Sequence, residues 1–273
     1  MNRSIKFEDF KFELGKKTYI MGILNVTPDS FSDGGEHDTL ETAVEHGIRM
    51  WELGADIIDI GGESTRPGSD EVVELEEMKR VIPVIERLSR IIDIPISIDT
   101  YKAAVARKAI ESGASIINDV WGMQRDPEMA TVAAEFDVPV IAMHNQITRD
   151  YDKDIIESME DFFNETVERA KKAGMDLNYL ILDPGIGFGK TTDQNIEVMS
   201  RLEEICDIGY PVLLGTSRKS MIGNILDLPV DQRVEGTIAT SVIGVQAGVD
   251  FIRVHDITEN IRAVKVADAI YRR

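Results

Sequence analysis

The stretch Pro95–Asp119, PISIDTYKAAVARKAIESGASIIND, contains a complete strand–helix–strand repeat. Its apolar start, Pro95–Ile98, predicts a buried strand, and the alanine-rich segment Lys102–Ser112 predicts a helix. A glycine–alanine pair follows that helix, and glycine favours the left-handed turn with which helices end. Ser115–Ile117 then predicts the next strand. Two strands joined by a helix form the repeating unit of α/β proteins with parallel sheets.

The same repeat occurs eight times along the chain. Most of the strand segments are continuous apolar runs, as expected of parallel strands that are covered on both faces. The predicted strands are Tyr19–Leu24, Asp56–Ile60, Pro95–Ile98, Ser115–Ile117, Val138–Met143, Tyr179–Leu182, Pro211–Leu214 and Phe251–Val254. The predicted helices are Thr39–Leu53, Glu71–Arg90, Lys102–Ser112, Pro127–Phe136, Ile155–Ala173, Asn195–Asp207, Arg233–Ala247 and Glu259–Tyr271. Eight such units predict an α/β fold, a single-domain (β/α)8 TIM barrel over residues 1–273, with an open doubly wound sheet as the alternative.

Composition narrows the classes of partner. The chain has 30 basic and 49 acidic residues and a net charge of −19, which argues against nucleic acid but permits a local cation cluster for a small anion. Its one cysteine, Cys206, fits a reducing compartment. We expect a cytoplasmic protein, because Met1–Leu14 lacks an apolar run of signal-peptide length and no segment approaches the ~18 apolar residues of a membrane helix.

The segment Asp183–Thr191, DPGIGFGKT, ends like a nucleotide-binding P-loop but has different spacing. A P-loop has a glycine five residues before Gly189, where this chain has Pro184, which offers no backbone N–H to a phosphate. We therefore expect Lys190 and Thr191 to begin the next loop and helix. Asp183, at the end of its strand, is the stronger candidate for a functional residue.

Polar or glycine residues follow every predicted strand. In a barrel these strand ends converge on the face that carries the active site. They are Asn25, Gly61–Arg66, Asp99, Asn118 and Asp119, His144 and Asn145, Asp183, Ser217–Lys219, Arg253, His255 and Asp256. A helix cap explains any one of them, such as Asp99 before the helix Lys102–Ser112. Caps do not, however, require carboxylates, amides, imidazole and cations together.

The residue types indicate the ligand chemistry. Asp99, Asn118 and Asp183 suit a flat heterocycle with adjacent N–H and amino groups, because a carboxylate accepts two hydrogen bonds side by side. The segment Thr216–Ser220 opens a short helix, whose N-terminus favours an anion. Cations or donors for a phosphate come from Arg66, Lys219, Arg253 and His255.

Seven motifs together resemble the dihydropteroate synthase family. They are GILNVTPDSFSDGG (22–35), GGESTRPG (61–68), SIDT (97–100), IIND (116–119), DPGIGFGK (183–190), GTSRKS (215–220) and RVHD (253–256). The resemblance covers nearly the whole chain and implies a (β/α)8 barrel enzyme of folate synthesis, usually a homodimer. It implies condensation of a dihydropterin methyl diphosphate with 4-aminobenzoate, with release of diphosphate.

The resemblance also implies residue roles. Asn25 would bind Mg²⁺ together with the diphosphate, and Ser217 would lie near the aminobenzoate carboxylate. The diphosphate would lie near Thr65, Arg66, Arg253 and His255. The pterin would be bound by Asp99, Asn118, Asp183 and Lys219, beside Met143, Gly187, Phe188 and Gly215. The catalytic residues would be Asp99, Lys219 and Arg253, and the loops Val26–Gly35 and Glu63–Gly68 would close over the site.

Three hypotheses stay open at the level of sequence. A dissociative, SN1-like substitution follows from the good leaving group, with Asp99 stabilising positive charge on the pterin methylene. A methyltetrahydrofolate-dependent methyltransferase would share the pterin-binding acids but needs no diphosphate site. A non-catalytic pterin-binding protein would not need the set Asn25, Arg66 and Lys219.

The role of His144 also stays open: it is either a buried structural histidine or a site residue.

Overall fold

Ten strands and ten helices are described in a computed structural model, which covers residues 4–27, 36–64 and 71–272, without the side chains of residues 36–39. The strands are β1 (Ser4–Phe7), β2 (Phe10–Glu13), β3 (Tyr19–Asn25), β4 (Ile57–Gly61), β5 (Ile96–Asp99), β6 (Ile116–Asp119), β7 (Val140–Met143), β8 (Leu180–Asp183), β9 (Leu213–Leu214) and β10 (Phe251–Val254). The helices are α1 (Glu36–Glu52), α2 (Glu74–Leu88), α3 (Ala103–Glu111), α4 (Met129–Phe136), α5 (Ile155–Ala173), α6 (Thr192–Ser200), α7 (Leu202–Asp207), α8 (Ser220–Leu226), α9 (Val234–Ala247) and α10 (Ile257–Tyr271).

The eight strands β3 to β10 form a closed parallel barrel. Their order around the sheet is β8-β7-β6-β5-β4-β3-β10-β9. A parallel bridge between Leu182 and Val212 joins the two outer strands, and the backbone N–H of Leu182 donates to the carbonyl of Pro211 at 2.8 Å. The predicted (β/α)8 barrel is therefore confirmed, and the open sheet is excluded because this sheet has no free edge where β8 meets β9.

Two apolar layers hold the barrel together. The outer layer packs the outward-facing side chains of the strands against the helices. The inner layer contains one apolar side chain from most strands, namely Met21, Ile57, Ile116, Ile141, Ile181, Leu213 and Phe251. Because side chains alternate along a strand, the next inward position lies two residues further on, toward the C-terminal face.

The hairpin β1–β2 covers the other end of the barrel, and it was not predicted. Its side chains Ile5, Phe7 and Phe12 join the inner layer, and the Phe12 ring meets Phe251 edge-to-face at 5.3 Å. Apolar residues thus fill the N-terminal end of the barrel, so that polar groups can gather only at the C-terminal end.

The helices differ most from prediction between β8 and β9. The predicted helix Asn195–Asp207 begins earlier, at Thr192, and is split into α6 and α7 at Arg201, whose backbone (φ −116°, ψ 22°) leaves the helical region. The short α8 begins at Ser220, as the anion-favouring sequence predicted. No helix in residues 4–27, 36–64 and 71–272 has the length and apolar character needed to span a membrane.

Candidate active site

The polar residues at the C-terminal face occupy inward positions of adjacent strands. Strand register aligns Asn25 with Gly61, Gly61 with Asp99, and Asp99 with Asn118. These residues of β3 to β6 therefore lie in one row around the barrel. Asp183 occupies the end of β8, opposite Met143 of β7. The row explains how residues far apart in sequence reach one site.

Arg253 lies at the centre of this face and binds two carboxylates. Its Nε donates to Asp59 Oδ2 and its Nη2 to Asp99 Oδ2, both at 2.6 Å. Asn118 also donates to Asp59 Oδ2, at 3.0 Å. Burial disfavours the guanidinium cation, but Asp59 and Asp99 outweigh that cost and hold the pKa of Arg253 above its ordinary value.

Asp99 has one carboxylate oxygen that is bonded and one that is not, among the described residues. Its Oδ2 binds Arg253, whereas its buried Oδ1 has no hydrogen-bond partner in the described part of the chain. Burial raises the pKa of Asp99 to about 7, and Arg253 only partly opposes that rise. A buried carboxylate oxygen without a donor costs free energy unless a donor is supplied, and Asp59 Oδ1 in the same cluster has no partner among the described residues either.

Asp183 and Lys219 form the second half of the site. Asp183 Oδ1 accepts from the backbone N–H of Gly185 at 2.7 Å, and burial raises the pKa of this carboxyl. Lys219 lies partly buried beside it, and removal of its ammonium from water lowers the pKa of that group to about 8. Gly215 lies between them, because a Cβ there would be 3.8 Å from Asp183 Oδ2 and 3.9 Å from Lys219 Nζ. The two charges partly offset each other inside the barrel.

Apolar side chains line the opening next to Lys219. Its Nζ lies 4.7 Å from the centre of the Phe188 ring, a cation–π distance, and also donates to the carbonyl of Ile186. Met143 packs with Tyr101 and Val120, and Phe188 lies against this cluster. Flat apolar surface therefore adjoins the acids, as a planar heterocycle requires.

The glycines after Asp183 form a tight turn, in which the Phe188 N–H donates to the Gly185 carbonyl. Gly185, Gly187 and Gly189 have φ values of +66°, +87° and +54°, in the left-handed region that favours glycine. A Cβ on Gly185 would lie 2.0 Å from the carbonyl oxygen of His144, and one on Gly187 would lie 3.1 Å from Lys219 Cδ. The structure thus explains why glycines are needed here: the loop packs closely against the end of β7 and against Lys219.

Ser217 and His255 form a polar pair at the rim. Ser217 Oγ lies 2.9 Å from His255 Nδ1 and accepts from the His255 backbone N–H at 3.2 Å. The neighbouring Arg218 does not point into the site, because its guanidinium binds the Asp256 carboxylate through Nε at 3.0 Å and Nη2 at 2.5 Å. This ion pair joins the start of α8 to the end of β10 and fixes the rim.

The structure brings together most of the residues that the sequence predicted. Thr65 and Arg66 lie outside the described residues, as do most of the loops predicted to close over the site. Asp99 does not cap α3: the Lys102 N–H bonds to Thr100 Oγ1 and the Ala103 N–H to Asp126 Oδ2. The capping alternative for Asp99 is therefore wrong.

Two site features were missed. Asp59 was read as part of an apolar strand, yet it is fully buried and accepts from both Arg253 and Asn118. Its alternation with Ile57 and Gly61 was the signal, since all three share one face of β4. Lys190 was expected merely to begin a loop, but it is buried against His144, while Thr191 does cap α6.

The donor set suits a metal that a substrate brings with it. In the described residues there is no cluster of three or more His, Cys, Asp or Glu side chains that could hold an ion. Asn25, at the end of β3, can offer an amide oxygen. Mg²⁺ commonly keeps several waters and binds through few protein ligands plus phosphate oxygens, so the residues present fit a diphosphate-bound Mg²⁺.

Comparison with known proteins gives consistent matches over nearly the whole chain. A family model described as pterin binding enzyme matches residues 21–255. A curated dihydropteroate synthase of Clostridium beijerinckii is 54% identical over 270 residues, which are 98% of this chain and 100% of that protein.

Solved structures agree. A dihydropteroate synthase of Clostridium difficile, crystallised in the presence of pteroic acid, has a TM-score of 0.95 and 56% identity over 96% of this chain and 100% of its own. A dihydropteroate synthase of Xanthomonas albilineans with 4-aminobenzoic acid has a TM-score of 0.90 and 44% identity over 94% of both chains.

Proposed function

The chain belongs to the pterin-binding enzymes and, among them, to the dihydropteroate synthases, and from this premise we propose roles for its barrel face. The reaction condenses a dihydropterin methyl diphosphate with 4-aminobenzoate to dihydropteroate and diphosphate. The observation that carries the proposal is the buried Asp99 Oδ1, which has no donor among the described residues. A pterin N–H would supply the missing hydrogen bond.

The pterin lies between the two acids. Asp99 and Asp183 accept from its ring N–H and amino groups, Asn118 and Lys219 hydrogen-bond its edge, and Met143 and Phe188 pack on its faces. Gly187 keeps the loop close to Lys219, because a Cβ there would lie 3.1 Å from Lys219 Cδ, and Gly215 adjoins the ring from between Asp183 and Lys219. Both acids face the cations Arg253 and Lys219, so the site carries charges of both signs.

The diphosphate leaves toward the rim. Asn25, Arg253 and His255 lie at the ends of β3 and β10, and we assign Thr65 and Arg66 to the same subsite from their motif. Bound Mg²⁺ would neutralise phosphate charge and so improve the leaving group. Arg253 holds both Asp59 and Asp99, which makes it a structural link between the pterin acids and the diphosphate subsite.

Carbon–oxygen cleavage precedes attack by the amine. Loss of diphosphate leaves positive charge on the pterin methylene and ring, which the carboxylates Asp99 and Asp183 stabilise. The uncharged arylamine then attacks the methylene carbon, and its proton is lost to solvent. Ser217 binds the carboxylate of 4-aminobenzoate at the rim. A covalent enzyme–pterin adduct trapped in a single turnover would contradict this dissociative, SN1-like course.

One assay separates the enzyme classes. We expect diphosphate release that matches dihydropteroate formation when both substrates and Mg²⁺ are present. A methyltransferase would release no diphosphate, and a non-catalytic pterin-binding protein would bind pterin without turnover. Binding of pterin with no product under these conditions would contradict the synthase proposal.

We further propose a cytoplasmic homodimer in which residues 1–273 form one domain. The neighbouring helices α9 and α10 support self-association, because Ile243, Val266 and Ile270 on them expose apolar side chains. Exposed apolar side chains commonly become buried where subunits meet. A sedimentation experiment that finds only monomer at micromolar concentration would contradict the dimer.

A further inference from the structure

Lys190 is buried although it follows a glycine-rich loop. It is 5% exposed, and its ammonium points into the protein. Its Nζ lies 2.8 Å from His144 Nδ1 and donates to the carbonyl of Gly185 at 3.1 Å and to that of Phe188 at 3.2 Å. An ammonium group has three N–H donors, so these three acceptors satisfy it completely.

The contact with Lys190 also bears on the state of His144. When Lys190 is protonated its ammonium only donates, so Nδ1 of His144 then accepts and the ring is neutral with its proton on Nε2. Burial and the Lys190 cation both lower the pKa of His144 well below its ordinary value, which agrees with a neutral ring. The ring packs edge-to-face against Phe162 at 4.9 Å. His144 is therefore a buried structural acceptor.

The carbonyls that Lys190 binds lie at the two ends of one turn. The Phe188 N–H donates to the Gly185 carbonyl at 3.1 Å, which closes the turn. Lys190 therefore binds the carbonyl oxygens of the first and last residues of that turn, Gly185 and Phe188. The same turn carries Ile186, whose carbonyl accepts from Lys219, and Phe188, whose ring lies beneath the Lys219 ammonium. The turn therefore positions two groups that face the pterin.

A lysine at this position costs stability. Burial lowers the pKa of its ammonium to about 7, while Asp183 opposes the decrease and Lys219 adds to it. Tyr151, a further titratable group at the loop, donates its hydroxyl to the Gly189 carbonyl at 3.1 Å. A buried cation that is unfavourable for folding, yet fully hydrogen-bonded to the turn, points to a role in the site.

We propose that Lys190, with His144 as its acceptor, is a positioning residue for pterin binding: it holds the turn Gly185–Phe188 so that Phe188 and Lys219 meet the pterin. The proposal rests on the proposed function above. It predicts an effect on pterin binding, because Ser217 and His255, which serve the 4-aminobenzoate and diphosphate, follow β9 and β10, whereas the turn follows β8.

The test compares Lys190→Met with two controls. Tyr151→Phe removes one neutral hydrogen bond to the same loop, and Lys171→Met removes an exposed cation from α5. Calorimetry with 6-hydroxymethylpterin measures affinity, and initial rates give KM for each substrate and kcat. A hydrogen bond from a charged group is typically worth a factor of about 10 to 100, so Lys190→Met should weaken pterin binding about tenfold or more. Both controls should change it by about twofold at most.

The pattern of kinetic constants distinguishes positioning from general damage. Lys190→Met should raise KM for the pterin substrate and leave KM for 4-aminobenzoate within about twofold, since only the turn is loosened. If that variant does not fold, His144→Phe serves instead, because it keeps a ring against Phe162 and removes the acceptor. Its pterin affinity should fall about threefold or more.

Two results bear differently on the two proposals. If the wild type binds no pterin, the proposed function fails. If the wild type binds pterin and the folded Lys190→Met or His144→Phe protein binds it equally well, the positioning role is wrong. Equal increases in both KM values would also overturn it, because they would indicate a general loss of structure.

Discussion

Replacing Gly185 with alanine tests the close packing of the loop after β8. Gly185 has a φ of +66°, and a Cβ there would lie 2.0 Å from the backbone oxygen of His144 and 3.3 Å from Met143 Cγ. Real Cβ contacts essentially never fall under 3.0 Å, so the loop must move by about 1 Å. The obstacle is backbone at the end of β7, which cannot rotate away as a side chain could.

The expected cost has two parts. An alanine in the left-handed region costs about 1–2 kcal/mol. Moving the loop also breaks the hydrogen bond from the Gly185 N–H to Asp183 Oδ1, 2.7 Å long, and a bond to a charged group is worth about 1.5–3 kcal/mol. The sum is about 2.5–5 kcal/mol, which reduces the free energy of unfolding or, if the loop shifts locally, the affinity for pterin.

Gly174→Ala is the matched control. Gly174 ends α5 with a φ of +81°, and a Cβ there would meet nothing within 4 Å. It should therefore cost only the left-handed part, about 1–2 kcal/mol, and leave pterin binding unchanged. Urea unfolding and pterin calorimetry measure both variants. The reasoning is refuted if Gly185→Ala is no less stable than Gly174→Ala and binds pterin as the wild type does.

Three further predictions concern charge and assembly. The pKa of Lys190 is lowered from 10.5 to about 7, so between these pH values the unfolded chain holds more protons than the folded chain, and the free energy of unfolding rises with pH. In Lys190→Met this rise should be smaller by up to about 1.4 kcal/mol per pH unit between pH 7 and 9. An unchanged slope in urea unfolding would contradict this. The pKa of Asp99 is raised from 3.8 to about 7, so between these pH values the folded chain holds more protons than the unfolded chain, and the free energy of unfolding falls as pH rises. In Asp99→Asn this fall should be smaller by up to about 1.4 kcal/mol per pH unit between pH 5 and 7. An equally steep fall in urea unfolding would be evidence against this. Ile243→Glu should shift the proposed dimer toward monomer in analytical ultracentrifugation, because it replaces the exposed apolar side chain of α9 with a charge. An undisturbed dimer would exclude this side of α9 from the interface.

The sequence predicted the eight strand–helix units well, because buried parallel strands are short apolar runs with glycine after the preceding helix. It could not decide between a closed barrel and an open sheet. That difference rests on the contact of β8 with β9, where Leu182 bonds to Pro211, and such a pairing leaves no local pattern. The hairpin β1–β2 was not predicted, because its strands have only four residues each and its turn uses a non-glycine residue, Glu8, at φ 47°.

The candidate site was predicted where its residues directly follow strands. Asp99, Asn118 and Asp183 are such residues, and they do lie together at the C-terminal face. Asp59 was missed because it lies inside a strand, where only its side-chain parity marks it as inward-facing. Lys190 was missed because a lysine after glycines is usually exposed, and its burial depends on the position of His144 in another unit of the barrel.

Pterin binding by Asp183→Asn, measured by calorimetry with 6-hydroxymethylpterin, tests the central claim most directly. Asparagine keeps the shape and can still accept from the Gly185 N–H, but it loses the charge and one acceptor. Asp193→Asn on the exposed first turn of α6 is the control. We predict a loss of affinity of about 10- to 100-fold for Asp183→Asn and none for the control. Binding by Asp183→Asn as tight as that of the wild type would contradict the assignment of this barrel face as the pterin site.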